Sequence, residues 1–291
     1  MDEHERFIDL IRDAAVTFEP ELPLLPAEWE NPEFSSSGQT YKALLFDVYG
    51  TLFCSAAGDI AVMQGAENAD TAAVDKLARL YDPGLSGQEL RNFFNRKVSG
   101  IHAQLRAHTQ WPEVQADRIW TEFLQERSLQ GSGRELALRY ELAVNPVFPM
   151  PGAAQTIAAL SSAACILGII SNAQFYTPLL FEAFLGGKPA ALGFDPELII
   201  YSFEFSQAKP SPLLFETAAA RLKSRGIKAQ DCAFVGNDML SDIYGAMNAG
   251  FQGVLFAGDS RSLRLRQTDE RLRGLRPSRI IRRLSELVFA P

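Results

Sequence analysis

Cysteine, histidine and tryptophan are scarce, at three of each in 291 residues. Cys54, Cys165 and Cys232 lie far apart and match no zinc-ligand spacing, which fits a reducing, cytoplasmic setting. Cys165 and Cys232 open apolar runs and are expected to be buried structural thiols. Cys54 lies near Asp47 but has no obvious activating histidine. No apolar stretch is long enough to span a membrane. The start, Met-Asp-Glu-His-Glu-Arg, lacks the basic region and apolar core of a secretory signal. Excess positive charge is also missing. The net charge of −7 and the acidic isoelectric point argue against nucleic acid as a partner. Hydrophobic residues at 47% and charged residues at 22% are ordinary for a chain that buries a substantial core. The length suits one large domain or two moderate ones.

Among what is present, one stretch stands out, Lys42 to Leu52. Ala43 to Phe46 form a short apolar run without polar alternation, as expected of a central strand covered on both faces. The run stops at Asp47, and Gly50 signals a tight turn. A carboxylate at the carboxyl end of such a strand sits where open α/β sheets place their ligands. Read alone, Asp47 is first of all a helix-capping or turn-forming residue.

Residues 4–18 place Phe7, Ile8, Ile11 and Phe18 on one helical face. The proline-rich stretch up to Gly38 reads as a surface strap. From Asp59 to Asn145 the pattern is helical, broken by Trp111-Pro112. Pro146, Pro149, Pro151 and Gly152 close that region. Beyond it, apolar strands alternate with helices: strands at 165–170, 198–201, 232–235 and 253–256, and helices at 154–162, 175–185, 211–225 and 241–248. This alternation implies an α/β fold, a parallel sheet with helices on both faces. The domains expected are an N-terminal helix and strap (1–40), a core (41–58 and 147–291) and an inserted all-α domain (59–146). The arginine-rich run 261–283 reads as a solvated helical face.

Successive strand ends then carry Asp47 and Thr51, Ser171 with Asn172, Lys209, and Asn237-Asp238 with Asp242. Each has a plain explanation as a helix cap or surface group. Together, as Phe46-Asp47-Val48-Tyr49-Gly50-Thr51-Leu52, Ser171-Asn172, Lys209-Pro210 and Gly236-Asn237-Asp238 with Asp242, they resemble the four motifs of the haloacid dehalogenase-like hydrolases. The resemblance covers residues 42 to about 257 and implies a Rossmann-like three-layer core with an all-α cap.

The resemblance implies that Asp47 is a nucleophile forming a covalent intermediate that water hydrolyses. Thr51 and Ser171 would donate hydroxyls to a phosphoryl group, Lys209 would supply a cation, and Asn172 and Tyr49 would contact substrate. A Mg²⁺ cofactor is implied, held by Asp47, the Tyr49 carbonyl and an oxygen of Asn237 or Asp238, with Asp242 as a nearby ligand or a partner of Lys209 or water. Phosphatases of this family usually carry a second aspartate where this chain has Tyr49. Its 2-haloacid dehalogenases share the Asp-x-Tyr-Gly-Thr-Leu form. Their halide-cradling arginine falls here at Asn95, with Arg91 and Arg96 displaced. A leaving alkoxide needs a proton and a halide does not; His102, His108 or Glu113 are candidate donors. The expectation is a Mg²⁺-dependent phosphatase acting on a small phosphorylated metabolite, as a monomer or homodimer. A dehalogenase or a non-catalytic relative is the alternative.

Overall fold

The computed structural model describes residues 2–17, 19–29, 40–55, 71–163 and 165–288. The expected surface loop at 35–38 and the expected start of the helical insertion, 59–70, lie outside them.

Helix α1 (Glu3–Asp13) buries Phe7 and Ile11 and ends well before the expected residue 18. Strand β1 (Ala43–Phe46) is buried along its whole length. Leu44 and Phe46 join one apolar cluster while Ala43 and Leu45 join another. That two-sided burial is why the sequence shows a continuous apolar run. Strand β2 (Phe53–Ser55) follows the Gly50 turn.

Four helices come next: α2 (Thr71–Tyr81), α3 (Gly87–Leu105), α4 (Ala116–Glu126) and α5 (Gly133–Val144). Ser86 starts α3 with a capping box, its hydroxyl accepting from the Glu89 amide while the Glu89 carboxylate accepts from the Ser86 amide. The four helices bury an aromatic cluster. Phe94 stacks on Trp120 at 5.2 Å, and Phe93 meets Phe123 edge-on at 4.9 Å. Phe93 and Phe94 are therefore packing residues of this helical insertion. Strand β3 (Val147–Pro149) pairs antiparallel with β2, so the chain leaves and re-enters the core through one two-stranded ribbon.

The remaining elements are α6 (Ala153–Ser162), β4 (Ile166–Ser171), α7 (Thr177–Leu185), β5 (Phe194–Tyr201), α8 (Ser202–Phe205), α9 (Pro212–Ser224) and β6 (Cys232–Gly236). A π-helical turn (Met239–Tyr244), α10 (Gly245–Asn248), β7 (Gln252–Phe256) and β8 (Arg279–Ile281) complete the chain. The six-stranded sheet runs β5-β4-β1-β6-β7-β8, with every neighbouring pair parallel. β1 is central: Phe46 is level with Ile169 of β4 and Val235 of β6. The loops that follow β1, β4 and β6 thus emerge side by side.

Three sequence expectations change. β5 begins at Phe194 rather than 198, because Phe194 pairs with Leu167 across an irregular register that the polar Asp195-Pro196-Glu197 conceals. The sheet does not end at β7, since β8 adds a further strand. The arginine-rich run is not a helical face. It forms turns and β8, and its guanidinium groups donate to main-chain carbonyls. Arg261 reaches Glu19, Arg282 reaches Pro23 and Arg279 reaches that of Glu286. The first two bonds fasten the C-terminal segment to Glu19 and Pro23, and the third lies within that segment. Among the described residues, no helix is long and apolar enough to cross a membrane.

Candidate active site

Asp47 stands one residue beyond β1, its amide donating to the Val235 carbonyl of β6 at 2.9 Å. The residue is only 6% exposed, and its carboxylate takes the Lys209 ammonium at 2.7 Å on Oδ1. The same Nζ meets Asp242 Oδ1 at 2.6 Å. Lys209 and Asp242 are buried, so this is an acid–cation–acid triad shielded from water. Burial alone would depress the lysine, but Asp242 and Asp47 outweigh it and its pKa lies above the usual value. Burial pushes Asp242 above the usual carboxylate range; Lys209 opposes this, while Asp47 and Asp238 add to it.

Thr51 and Asn237 lie alongside. The Thr51 hydroxyl donates to Asn237 Oδ1 at 3.1 Å, and Asn237 Nδ2 donates to the Ser262 carbonyl at 2.7 Å. Gly50 makes this approach possible. Its φ of +79° suits glycine, and a Cβ there would lie 2.5 Å from Asn237 Nδ2. Gly50→Ala is therefore expected to destabilise the fold by about 1–3 kcal/mol, read as a lower midpoint in chemical denaturation. An unchanged midpoint would remove the close-approach argument.

Ser171, at the end of β4, donates its hydroxyl to the Asn172 carbonyl at 2.9 Å. Asn172 Oδ1 accepts the Lys209 amide at 2.7 Å, so in this structure Asn172 fixes the lysine loop. Tyr49 is 1% exposed and its hydroxyl shares a hydrogen bond with Thr177 Oγ1 at 3.0 Å.

In the fourth motif Asp242 pairs with Lys209, while Asp238 has partners of its own. Asp238 Oδ1 accepts from the amides of Leu240 and Ser241, which caps the π-helical turn. Its Oδ2 receives Nε and Nη2 of Arg266, at 3.0 and 2.7 Å. Asp242 Oδ2 accepts the Asp238 amide at 2.9 Å. Among the described residues, no three or more His, Cys, Asp or Glu side chains are grouped to hold a metal ion. The donor chemistry nonetheless suits Mg²⁺, which takes hard oxygens from one or two carboxylates plus water and substrate phosphate. Asp47, the Asn237 amide oxygen and the Tyr49 carbonyl are such donors.

Several residues of this neighbourhood carry no signal in the sequence. Gln174, just past the second motif, spans to the segment before α4: its Oε1 accepts the Ala116 amide and its Nε2 donates to the Val114 carbonyl. Tyr176 donates to Glu141 of α5 at 3.0 Å, and Glu141 also accepts from Asn145. Ser202, Ser262 and Arg266 are likewise visible only as contacts across the sheet edge. Of the proposed proton donors, Glu113 is buried against Ser202 and His108 is exposed. His102 sits on α3 with its pKa lowered by burial. Arg96 is exposed and lies over the Phe93 ring. The Cys54 thiol, buried beside Met150, is pushed up to about 12 by that burial and by Asp259, which leaves it unreactive.

The family model described as haloacid dehalogenase-like hydrolase matches residues 41–250. A curated relative from Halopiger xanaduensis, ribulose-1,5-bisphosphate 5-phosphatase, is 26% identical over 236 residues, covering 74% of this chain and 84% of its own. A HAD phosphatase from Thermococcus onnurineus superposes with a TM-score of 0.51 at 24% identity, over 84% of this chain and 95% of that one. A 2-haloacid dehalogenase from Pseudomonas syringae gives 0.53 at 19% identity, over 85% and 96%. Those two structures share the fold. With the strand-end motifs gathered on one sheet edge and the family model spanning most of its length, the chain belongs to the haloacid dehalogenase-like hydrolases.

Proposed function

We propose that this hydrolase cleaves phosphoric monoesters of a small, sugar-like metabolite, with Asp47 as nucleophile. The observation that carries the reading is the buried Asp47–Lys209–Asp242 triad. The likeness to a sugar-bisphosphate phosphatase gives it a substrate class. Lys209 pairs with Asp47 and orients it, and offers positive charge to an incoming phosphate. Asp47 Oδ attacks phosphorus as the bond to the leaving oxygen breaks, which gives an aspartyl phosphate. Water then attacks phosphorus, releases inorganic phosphate and restores the carboxylate. Thr51 and Ser171 would turn their hydroxyls toward the phosphoryl oxygens. Mg²⁺, held by Asp47, the Tyr49 carbonyl and Asn237, would neutralise phosphate charge. Asp238 is assigned to Arg266 and the π-helical turn rather than to the metal. The α2–α5 insertion serves as the cap that encloses substrate.

Tyr49 stands where a proton donor would serve, and its hydroxyl is held by Thr177. Aryl and acyl phosphates, whose leaving groups depart readily, are therefore expected to react faster than alkyl phosphates. The same Tyr49 favours halide displacement as a second reading. The test is an assay of p-nitrophenyl phosphate, sugar phosphates and 2-haloacids, each with Mg²⁺ or with chelator. Chelator-sensitive phosphate release supports the proposal. Chelator-insensitive halide release would replace it with the dehalogenase, and silence on all three would leave a non-catalytic relative.

A further inference from the structure

Glu113 is a buried carboxylate that the mechanism above does not use. It lies in the segment between α3 and α4, 3% exposed. Its Oε2 accepts the Ser202 hydroxyl at 2.6 Å, and its Oε1 accepts the Val114 amide at 2.9 Å. The Ser202 oxygen in turn accepts the Ala173 amide at 2.9 Å. The Ser202 hydroxyl has two acceptors, Glu113 Oε2 at 2.6 Å and the Ala173 carbonyl at 3.3 Å; the shorter contact takes the proton toward the carboxylate, and the oxygen holds the Ala173 N–H. Ala173 directly follows Asn172, whose Oδ1 holds the amide of Lys209.

The same segment also fastens the lysine loop directly. The Glu113 amide donates to the Ser206 carbonyl, and the Ala208 amide donates to the Trp111 carbonyl. The loops carrying Ser171-Asn172 and Lys209 thus both take hydrogen-bond partners from the helical insertion. Burying a carboxylate carries a desolvation penalty, and Glu113 meets it with partners on two different segments, Ser202 and the Val114 amide.

We propose that Glu113 is a positioning residue. Through Ser202 it makes the geometry of the second and third motifs depend on docking of the α2–α5 insertion. The inference rests on the reading that Ser171, Asn172 and Lys209 serve the reaction. Chemistry would then be licensed when the insertion is seated, and the strand-end loops would relax when it lifts.

The test combines hydrogen exchange by mass spectrometry with kinetics on p-nitrophenyl phosphate, using the full chain. In Glu113→Ala, exchange at residues 171–174 and 206–209 is expected to rise about tenfold, the scale of one lost buried hydrogen bond. Exchange in β1 and β7 should stay as in the wild type. The turnover number should fall by about tenfold or more with KM changed far less, and Glu113→Gln should recover most of it. Ser202→Ala should reproduce the defect, and adding it to Glu113→Ala should cost little more. Wild-type exchange at both loops in Glu113→Ala overturns the proposal, as does an equal rise throughout the chain. If Glu113→Ala does not fold, Ser202→Ala carries the same two readouts. An inactive wild type would sink the hydrolase reading, whereas the exchange comparison judges the Glu113 coupling by itself.

Discussion

Asp47→Asn is expected to lower turnover by about ten-thousandfold or more, the scale seen when a nucleophile is removed from an otherwise intact site. The amide has nearly the same shape and still offers an oxygen to Lys209 Nζ, now 2.7 Å from the carboxylate. It cannot form the acyl–phosphate bond as a carboxylate does. The fold should survive, because two effects oppose each other. Lys209 loses one of its two buried counter-charges, and Asp242 loses a like-charged neighbour that raises its pKa. Phosphate release and a circular-dichroism melt on one preparation check both parts. Residual turnover near the wild-type rate with a normal melt would move the nucleophile elsewhere.

Lys209→Met should cost stability as well as activity. Removing one partner of a buried ion pair leaves an uncompensated charge, typically worth about 3–5 kcal/mol. Here two carboxylates, Asp47 and Asp242, would be left facing the vacated ammonium position. Asp242, which burial already pushes up, would be expected to hold its proton more tightly in the folded than in the unfolded chain once Lys209 no longer opposes this. A carboxylate whose folded pKa is raised contributes stability that is present at low pH and lost as pH climbs above the ordinary carboxylate range. In the wild type Asp242 already leans this way, with Lys209 opposing it. The lysine's own contribution is lost only at strongly alkaline pH, since its pKa is raised. Urea midpoints at pH 5 and pH 8 therefore should diverge more in the variant than in the wild type, with the variant weakest at pH 8. An equal loss at both values would contradict the uncompensated-charge account.

The α/β class, the central strand and the strand-end motifs were readable in the sequence because they are local. A short apolar run buried on both faces needs no partner to be seen, and the polar residue that stops it is its immediate neighbour. Hence Asp47, Thr51, Ser171, Asn172, Lys209, Asn237 and Asp242 fall at one sheet edge, close to where alternation alone placed them. Tyr49 was also visible as a departure from the phosphatase pattern. Its engagement with Thr177, 128 positions away, was not.

Tertiary structure decided which partners those groups meet. Asp238 reads as one of two candidate metal ligands, and the fold sets Arg266, 28 positions later, against it. Glu113 reads as a candidate proton donor until the fold sets it on Ser202, 89 positions away. The arginine-rich run reads as a wet helix until residues 19–29 supply carbonyls for it. In each case the deciding partner lies on another loop, and no periodicity links two loops that meet only because the sheet brings their strands side by side. The sequence by itself determined the strand ends and the groups they carry. The packed molecule determined their charge balance, because a buried carboxylate's role depends on which cation or donor the fold places against it.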